Sequence, residues 1–499
     1  MSIKYGRRDF LKASLATAVA GQLLPHAMGQ EHAPGIIPHG TPTATADSMI
    51  LIWIPGGLSQ TEYWDPKPFT PFEKGMKGSE MLCPCPSIPT SLDDVFFGAG
   101  LPNIASIMDK GTLIRSLYNN HEFGFDHNRA QFHMITGYPF PTGFKAPGMG
   151  AKIARILGPR DANMPPFIVI GREILSLGAE GPENRKFINS LHGPGFYGVH
   201  HAPLIVREPA EGISTLNAVA SMKLDRLDRR QEYLQTISGL SQKELQESGK
   251  VREYMTIVDR ARDMMDSTVK EAFQYHAQES PETLESYKVG HRFGESCLLA
   301  RRLVERGSRF VQVEYPFKTF SLFDTHSNGA TTNMILKGHI DRPIANLVRD
   351  LEDRGMLDRT LVVVMTEFGR SLAKRRNPSD NIAFATSTDG QVGGIIHEYT
   401  NGSNISIQAK DMYGMHGHFP LANNVLFFGG GTKRGYVHGK TADEHPMFAL
   451  SEDRVSIDDL HATIYKTLGI APDVYYETEG RPIHVTNLGK GKPIDALLA

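Results

Sequence analysis

Carboxylates and imidazoles recur in this sequence just beyond short apolar runs, where they could do chemistry together. After the run at 49–54 come Gly56, Gly57, Ser59, Glu62 and Asp65. After 112–117 come His121, Asp126, His127 and Arg129, and after 309–315 come Asp324 and His326. Thr366, Glu367 and Arg370 follow 361–365, while His416 and His418 precede 425–428. Imidazole nitrogens suit Zn, Fe or Mn, and carboxylate oxygens suit harder ions, so such a set can bind one or two divalent metals. An imidazole or carboxylate can also act as general base, and a guanidinium can steady an anion. Each residue has an ordinary role as well. Glu367 can be an acid at a helix N-terminus, favoured by the dipole. Arg370 can pair with Glu367, His127 and His133 can be hydrogen-bonded structural histidines, and Gly56-Gly57 can be a tight turn.

What would gather these residues is a sheet. With a sixth run at 166–170, these runs are short, β-branched and bounded by Gly and Pro, and near-continuous apolar strands suit a sheet covered on both faces. Helical periodicity lies between them. Ile340, Ile344, Leu347, Val348 and Leu351 share a face ahead of Gly355, and Leu298, Leu299, Leu303 and Val304 precede Gly307. Strand and helix alternate from 297 to 365, which predicts βαβ units and a mostly parallel sheet. Ligands bind beyond the carboxyl ends of such strands, so the scattered residues would share one edge. Residues 210–290 are charged and read as a helical excursion packed on the sheet. The stretch 372–412 is polar and rich in Gly, Asn and Ser, a long loop of the kind that often carries function.

The chain of 499 residues has a formal net charge of −2, which excludes a global field attracting nucleic acid or anionic lipid. Three cysteines, Cys83, Cys85 and Cys297, are too few for a disulfide framework, and Cys83 and Cys85 are spaced too tightly for an easy mutual bridge. The start reads Arg7-Arg8-Asp9-Phe10-Leu11-Lys12, then an apolar stretch over 13–24, then Ala27-Met28-Gly29. A charged start, a short apolar middle and a small-residue cleavage site predict a twin-arginine export signal over 1–29. Its apolar middle is too short to span about 30 Å of hydrocarbon. The expectation is a linker over 30–47 and one domain over 48–499. The protein would pass folded through the twin-arginine translocase to the periplasm or cell surface, with no membrane span.

Larger motifs point to a family. They include Gly56-Gly57-Leu58-Ser59 with Asp65-Pro66-Lys67-Pro68, and Arg129-Ala130 through Thr136-Gly137-Tyr138-Pro139. Others are Phe323-Asp324-Thr325-His326, Glu367-Phe368-Gly369-Arg370, His418-Phe419-Pro420, Gly429-Gly430-Gly431, Asp459-Leu460-His461-Ala462-Thr463 and Asn487-Leu488-Gly489-Lys490-Gly491. On these the chain resembles the DUF1501 family, exported proteins related to the sulfatase and alkaline phosphatase superfamily. The resemblance covers nearly all of the mature chain. It implies an alkaline-phosphatase-like three-layer α/β/α sandwich, with a metal centre at the carboxyl edge of the sheet and hydrolysis of phosphate or sulfate esters.

The superfamily's residues do not all carry over. His127 stands where the nucleophile would be, and Pro55-Gly56-Gly57 stands where a metal-binding Asp would end the first strand. Glu367-Phe368 replaces an Asp-His pair, and Gly417 precedes His418 where Asp is usual. The resemblance therefore leaves Asp324, His326, Glu367 and His418 as metal ligands, with Glu62, Asp65 and His127 as additions. His127 or Glu367 would serve as general base, with Arg370 on an anionic substrate. The implied cofactor is divalent Zn, Mn, Ca or Mg, and the substrate an ester of a small molecule or polysaccharide. Two other readings stand beside it: a ligand-binding or scaffolding protein of the same fold without turnover, and a structural partner docking through the 210–290 helices.

Overall fold

The structure, a computed structural model, describes residues 40–119, 125–140, 142–171, 191, 193–212, 264, 267–288, 291–315, 322–372, 405–445, 447–450, 452–478 and 480–499. The expected export signal, His121 and most of the stretches 210–290 and 372–412 lie outside the described residues.

Eight strands form one sheet: β1 (Ser48–Trp53), β2 (Gly111–Leu117), β3 (Phe167–Ile170), β4 (Leu204–Val206), β5 (Phe310–Glu314), β6 (Thr360–Met365), β7 (Asn423–Phe428) and β8 (Tyr436–His438). Their order is β8-β2-β7-β6-β1-β5-β3-β4. All neighbours are parallel except β7, which runs antiparallel to both β2 and β6. The reversal has a consequence for chemistry. Residues that precede β7 arrive at the same edge as residues that follow β1, β2, β5 and β6.

The two covered faces expected from the apolar runs are present. Along β1, Ile50 and Ile52 face one core, with Leu299 and Leu303 of α3 (Arg292–Glu305) and Ile340, Ile344, Leu347 and Val348 of α4 (Gly329–Asp353). Met49, Leu51 and Trp53 face the other core, with Met134 and Ile135 of α1 (His127–Thr136), Ile153 of α2 (Met149–Leu157) and Leu460 and Ile464 of α5 (Ile457–Thr467). The period of two along a strand thus feeds two helical layers at once. Each such side chain, fully buried, contributes about 1.5–3 kcal/mol relative to exposure. Gly355, at φ 65°, ends α4 as the sequence predicts.

Two features depart from the sequence expectation. The edge strands β4 and β8 were not anticipated, because three residues carry too short a pattern to read. The last residues of the expected linker are docked on the domain. The Thr45 and Ala46 N–H groups donate to the Thr467 carbonyl, and Asp47 pairs with Arg359. Among the described residues, no helix is long and apolar enough to cross a membrane.

The core also holds a titration that can be measured. His461 on α5 is fully buried, with Nε2 2.8 Å from the Met134 carbonyl, and burial pushes its pKa down to about 3. A folded pKa below the unfolded one gives stability that is present above about pH 6.5 and is lost as pH falls. Between pH 6.5 and 4 this one group should cost the fold roughly 3 kcal/mol. Urea titrations across that range should therefore give a slope shallower by about one proton for His461→Gln than for the parent. Equal slopes would mean that His461 titrates normally.

Candidate metal centre

Four side chains converge at the edge where β1, β2, β5 and β6 end: His127, Asp324, His326 and His418. Each arrives on a different piece of backbone. His127 opens α1, whose N-cap Asp126 accepts the Arg129 N–H at 3.0 Å and whose end is turned by Gly137 at φ 71°. Asp324 and His326 lie in the stretch between β5 and the first turn of α4. His418 is the middle residue of a short strand, Gly417–Phe419, antiparallel to Gly369–Ser371, where it sits directly opposite Arg370.

The Nε2 atoms of His127, His326 and His418 lie 3.1, 2.8 and 3.4 Å from the same oxygen of Asp324. The His326 and His418 Nε2 atoms are 3.0 Å apart, and all four ligand atoms fall within 4.8 Å of one another. Bonds of about 2.0–2.1 Å to a tetrahedral zinc ion place neighbouring ligand atoms about 3.3 Å apart. The four separations given, 2.8 to 3.4 Å, lie near or somewhat below that size. The donor set, three imidazoles and one carboxylate, is also one that zinc and similar ions accept. The residues present therefore fit a divalent ion, and no ion need be invoked to bring them together.

The rings are oriented from behind. Nδ1 of His418 is 2.7 Å from the Phe125 carbonyl, which can only accept, so the proton is on Nδ1 and the Nε2 lone pair faces the cluster. Nδ1 of His127 is 2.6 Å from Glu367. The Glu367 carboxylate is itself held by the Gly56 N–H at 2.9 and 3.1 Å and by the Thr366 hydroxyl at 3.0 Å. A carboxylate behind a ligating imidazole fixes its tautomer and raises its basicity. Phe368 closes the wall, stacked on His418 at 4.7 Å and tilted against His127 at 4.8 Å. Gly56 and Gly57 are required here. At φ 119° and 82°, a Cβ would come within 2.8 Å of the Asp324 backbone at the first and 2.6 Å of the Phe368 ring at the second.

Charge centres on the Asp324 carboxylate, which the imidazoles share with the Arg370 guanidinium. Burial would raise the Asp324 pKa, but hydrogen bonds from His127 and His326 outweigh it and hold the carboxyl far below the usual carboxylate range. Burial opposes a charged His127, yet the two carboxylates on either side of it raise its pKa. Burial keeps His418 neutral, with a pKa down at about 4. The His326 side chain is 56% exposed whereas that of His127 is 9% exposed, so the cluster opens to solvent on the His326 side.

Several expected residues take other places. Glu367, read as a metal ligand, stands behind His127 with its oxygens already engaged. Arg370, read as the holder of an anionic substrate, is completely buried. It donates to the carbonyls of Gly56, Gly57 and His416 and, at 2.6 Å, to Asp324. His127, read as a base or an added ligand, has its Nε2 inside the cluster, so that nitrogen is shared with Asp324. Glu62 lies deeper and accepts from Asn333 at 2.9 Å, while Asp65 pairs with Arg115 at 3.2 Å. His416 packs beside the cluster, its Nδ1 3.3 Å from the Thr325 carbonyl. Gln131 was missed: its amide reaches Glu367 at 3.4 Å. Its place four residues after His127 on one helix was a usable signal.

No curated protein sequence matches the chain. Solved structures overlay on it loosely. The lipoteichoic acid synthase LtaP from Listeria monocytogenes is 8% identical, with 89% of this chain and 76% of that one covered, at a TM-score of 0.32. The alkaline phosphatase from the Antarctic bacterium TAB5 is 12% identical, with 78% and 92% covered, at 0.32. A magnesium-bound mutant of the TAB5 enzyme is 12% identical, with 86% and 98% covered, at 0.36. At such scores what this chain does must come from its own residues. The family is a firmer finding: residues 46–498 match the model described as a protein of unknown function, and the chain belongs to the DUF1501 family.

Proposed function

We propose that this is an exported, divalent-metal-dependent hydrolase of phosphate or sulfate esters with a centre formed by His127, Asp324, His326 and His418. The observation that carries the reading is the convergence of three imidazole Nε2 atoms on one carboxylate oxygen. Three nitrogen donors favour zinc or iron over manganese, calcium or magnesium. A bound ion would supply Lewis acidity toward an ester's non-bridging oxygen. The chain's own residues do the rest. Asp324 sets the charge, Glu367 and the Phe125 carbonyl fix two tautomers, and Phe368 keeps water from the back of the site. The exposed face at His326 is where an ester of a small molecule or polysaccharide would enter. Passage through the twin-arginine translocase to the periplasm or cell surface belongs to the same reading, supported by the Arg7-Arg8 leader.

The test is hydrolysis of aryl phosphate and aryl sulfate esters by zinc- or iron-loaded protein, by the chelated protein and by Asp324→Ala. Turnover that needs the metal and disappears in the variant is the expected result. A metal-loaded protein inert to both ester classes would overturn it. One observation favours a second reading, a ligand-binding protein without turnover: Arg370 spends its donors on the chain itself and not on the open face. Metal-dependent binding of such esters without product would support that reading.

A further inference from the structure

On the far side of the segment that follows β1 lies a second reactive group, outside the metal cluster. Cys83 and Cys85, whose spacing in the sequence argues against an easy mutual bridge, are both buried and carry free thiols, yet their sulfurs lie only 3.8 Å apart and face one another. The Cys83 sulfur is 3.1 Å from the Thr61 carbonyl, and the Cys85 sulfur is 3.7 Å from the Glu62 carbonyl. Lys337, completely buried, points its ammonium at the Cys85 sulfur at 3.4 Å. Its other acceptors are the Ala99 carbonyl at 3.0 Å and the Met334 sulfur at 4.0 Å, both neutral. A buried ammonium calls for an anion nearby. Burial raises the pKa of neighbouring Glu62 against the pull of Lys337, and Cys85 is the sulfur within reach of the ammonium.

We propose that Cys83 and Cys85 form a peroxide-oxidisable dithiol, in which Cys85 attacks and Cys83 resolves. The asymmetry has two physical sources. The hydrogen bond from Cys83 and the charge of Lys337 push the Cys85 thiol down against its burial, while the same partnership and burial push the Cys83 thiol up. The Cys85 thiolate attacks one oxygen of hydrogen peroxide. The O–O bond breaks, a sulfenic acid forms on sulfur, and the departing hydroxide takes a proton to become water. The Cys83 sulfur then attacks the Cys85 sulfur. The S–S bond forms, the S–O bond breaks, and the oxygen leaves as a second water carrying the Cys83 proton. Two electrons pass from the two thiols to one peroxide. Burial excludes bulky disulfides, so the oxidant must be as small as hydrogen peroxide.

The pair is also attached to the centre. In the segment 56–62, the Gly56 N–H holds Glu367, the Gly57 carbonyl and the Gln60 side chain accept from Arg370, and the Thr61 and Glu62 carbonyls accept from the two thiols.

The test treats the folded protein with graded hydrogen peroxide, quenches with an alkylating reagent in denaturant, and maps peptide masses. The readout needs no metal, so it stands apart from the proposed hydrolase activity. The peptide containing both cysteines should lose two hydrogens while Cys297, buried by itself, stays alkylatable. In Cys83→Ser, Cys85 should oxidise about tenfold faster than Cys83 does in Cys85→Ser. Circular dichroism melts of the same samples confirm that each variant is folded. Oxidation of Cys297 at the rate of the pair, or equal rates for the two single variants, would overturn the proposal. So would a pair that stays reduced until the protein unfolds.

Discussion

Zinc should stabilise this protein by about 4 kcal/mol when free metal is in thousandfold excess over its dissociation constant, and Asp324→Ala should erase that gain. The magnitude follows from linkage, because an ion that binds the folded chain and not the unfolded one draws the equilibrium toward the fold. The unfolded chain offers no equivalent site, since the four ligands come from positions 127, 324, 326 and 418. Asp324 is the residue to change because its oxygen is the point on which all three imidazoles converge. Magnesium at the same concentration should do much less, because imidazole nitrogens are poor ligands for so hard an ion. The measurement is a urea melt of parent and variant, each with chelator, with zinc and with magnesium. Equal melts for the parent in chelator and in zinc would remove the metal centre, and with it the proposed hydrolase.

The edge on which this site sits was legible in the sequence, and the division of labour within it was not. Four of the six apolar runs placed their following residues on one side, and the real strands fall within one or two residues of all six. His418 was found although it precedes its strand. Being antiparallel, β7 brings its leading residues to the edge where parallel strands deliver their trailing ones. A sequence pattern carries no strand direction, so that agreement had no physical warrant until the pairing was seen. Glu367 and Arg370 show the limit. Both residue types suit direct contact with metal or substrate, and what decides otherwise is burial. The Glu367 oxygens are engaged by Gly56, Thr366 and His127. Chemistry read from residue type finds the cast, but tautomers, hydrogen-bond partners and depth belong to the packing.

Arg370→Met should destabilise the metal-free protein by about 3–5 kcal/mol, the typical loss when one partner of a buried ion pair is removed. The guanidinium is completely buried. It ties the Gly56, Gly57 and His416 carbonyls to Asp324, so its loss leaves three carbonyls and one carboxylate without a shared donor. Methionine fills similar volume, which keeps a cavity from dominating the result. A cycle with Asp324→Asn separates charge from packing. If the pair matters, the double variant should cost less than the sum of the two single variants, because the second change no longer strands a charge. The same variant tests the sequence-based role of Arg370 as an anion holder. A residue that grips substrate would raise KM while leaving the urea midpoint almost unmoved. A positioning residue lowers the midpoint first, and removing its positive charge beside Asp324 should leave zinc affinity per folded molecule undiminished. A loss below about 1 kcal/mol together with a raised KM would return Arg370 to the substrate.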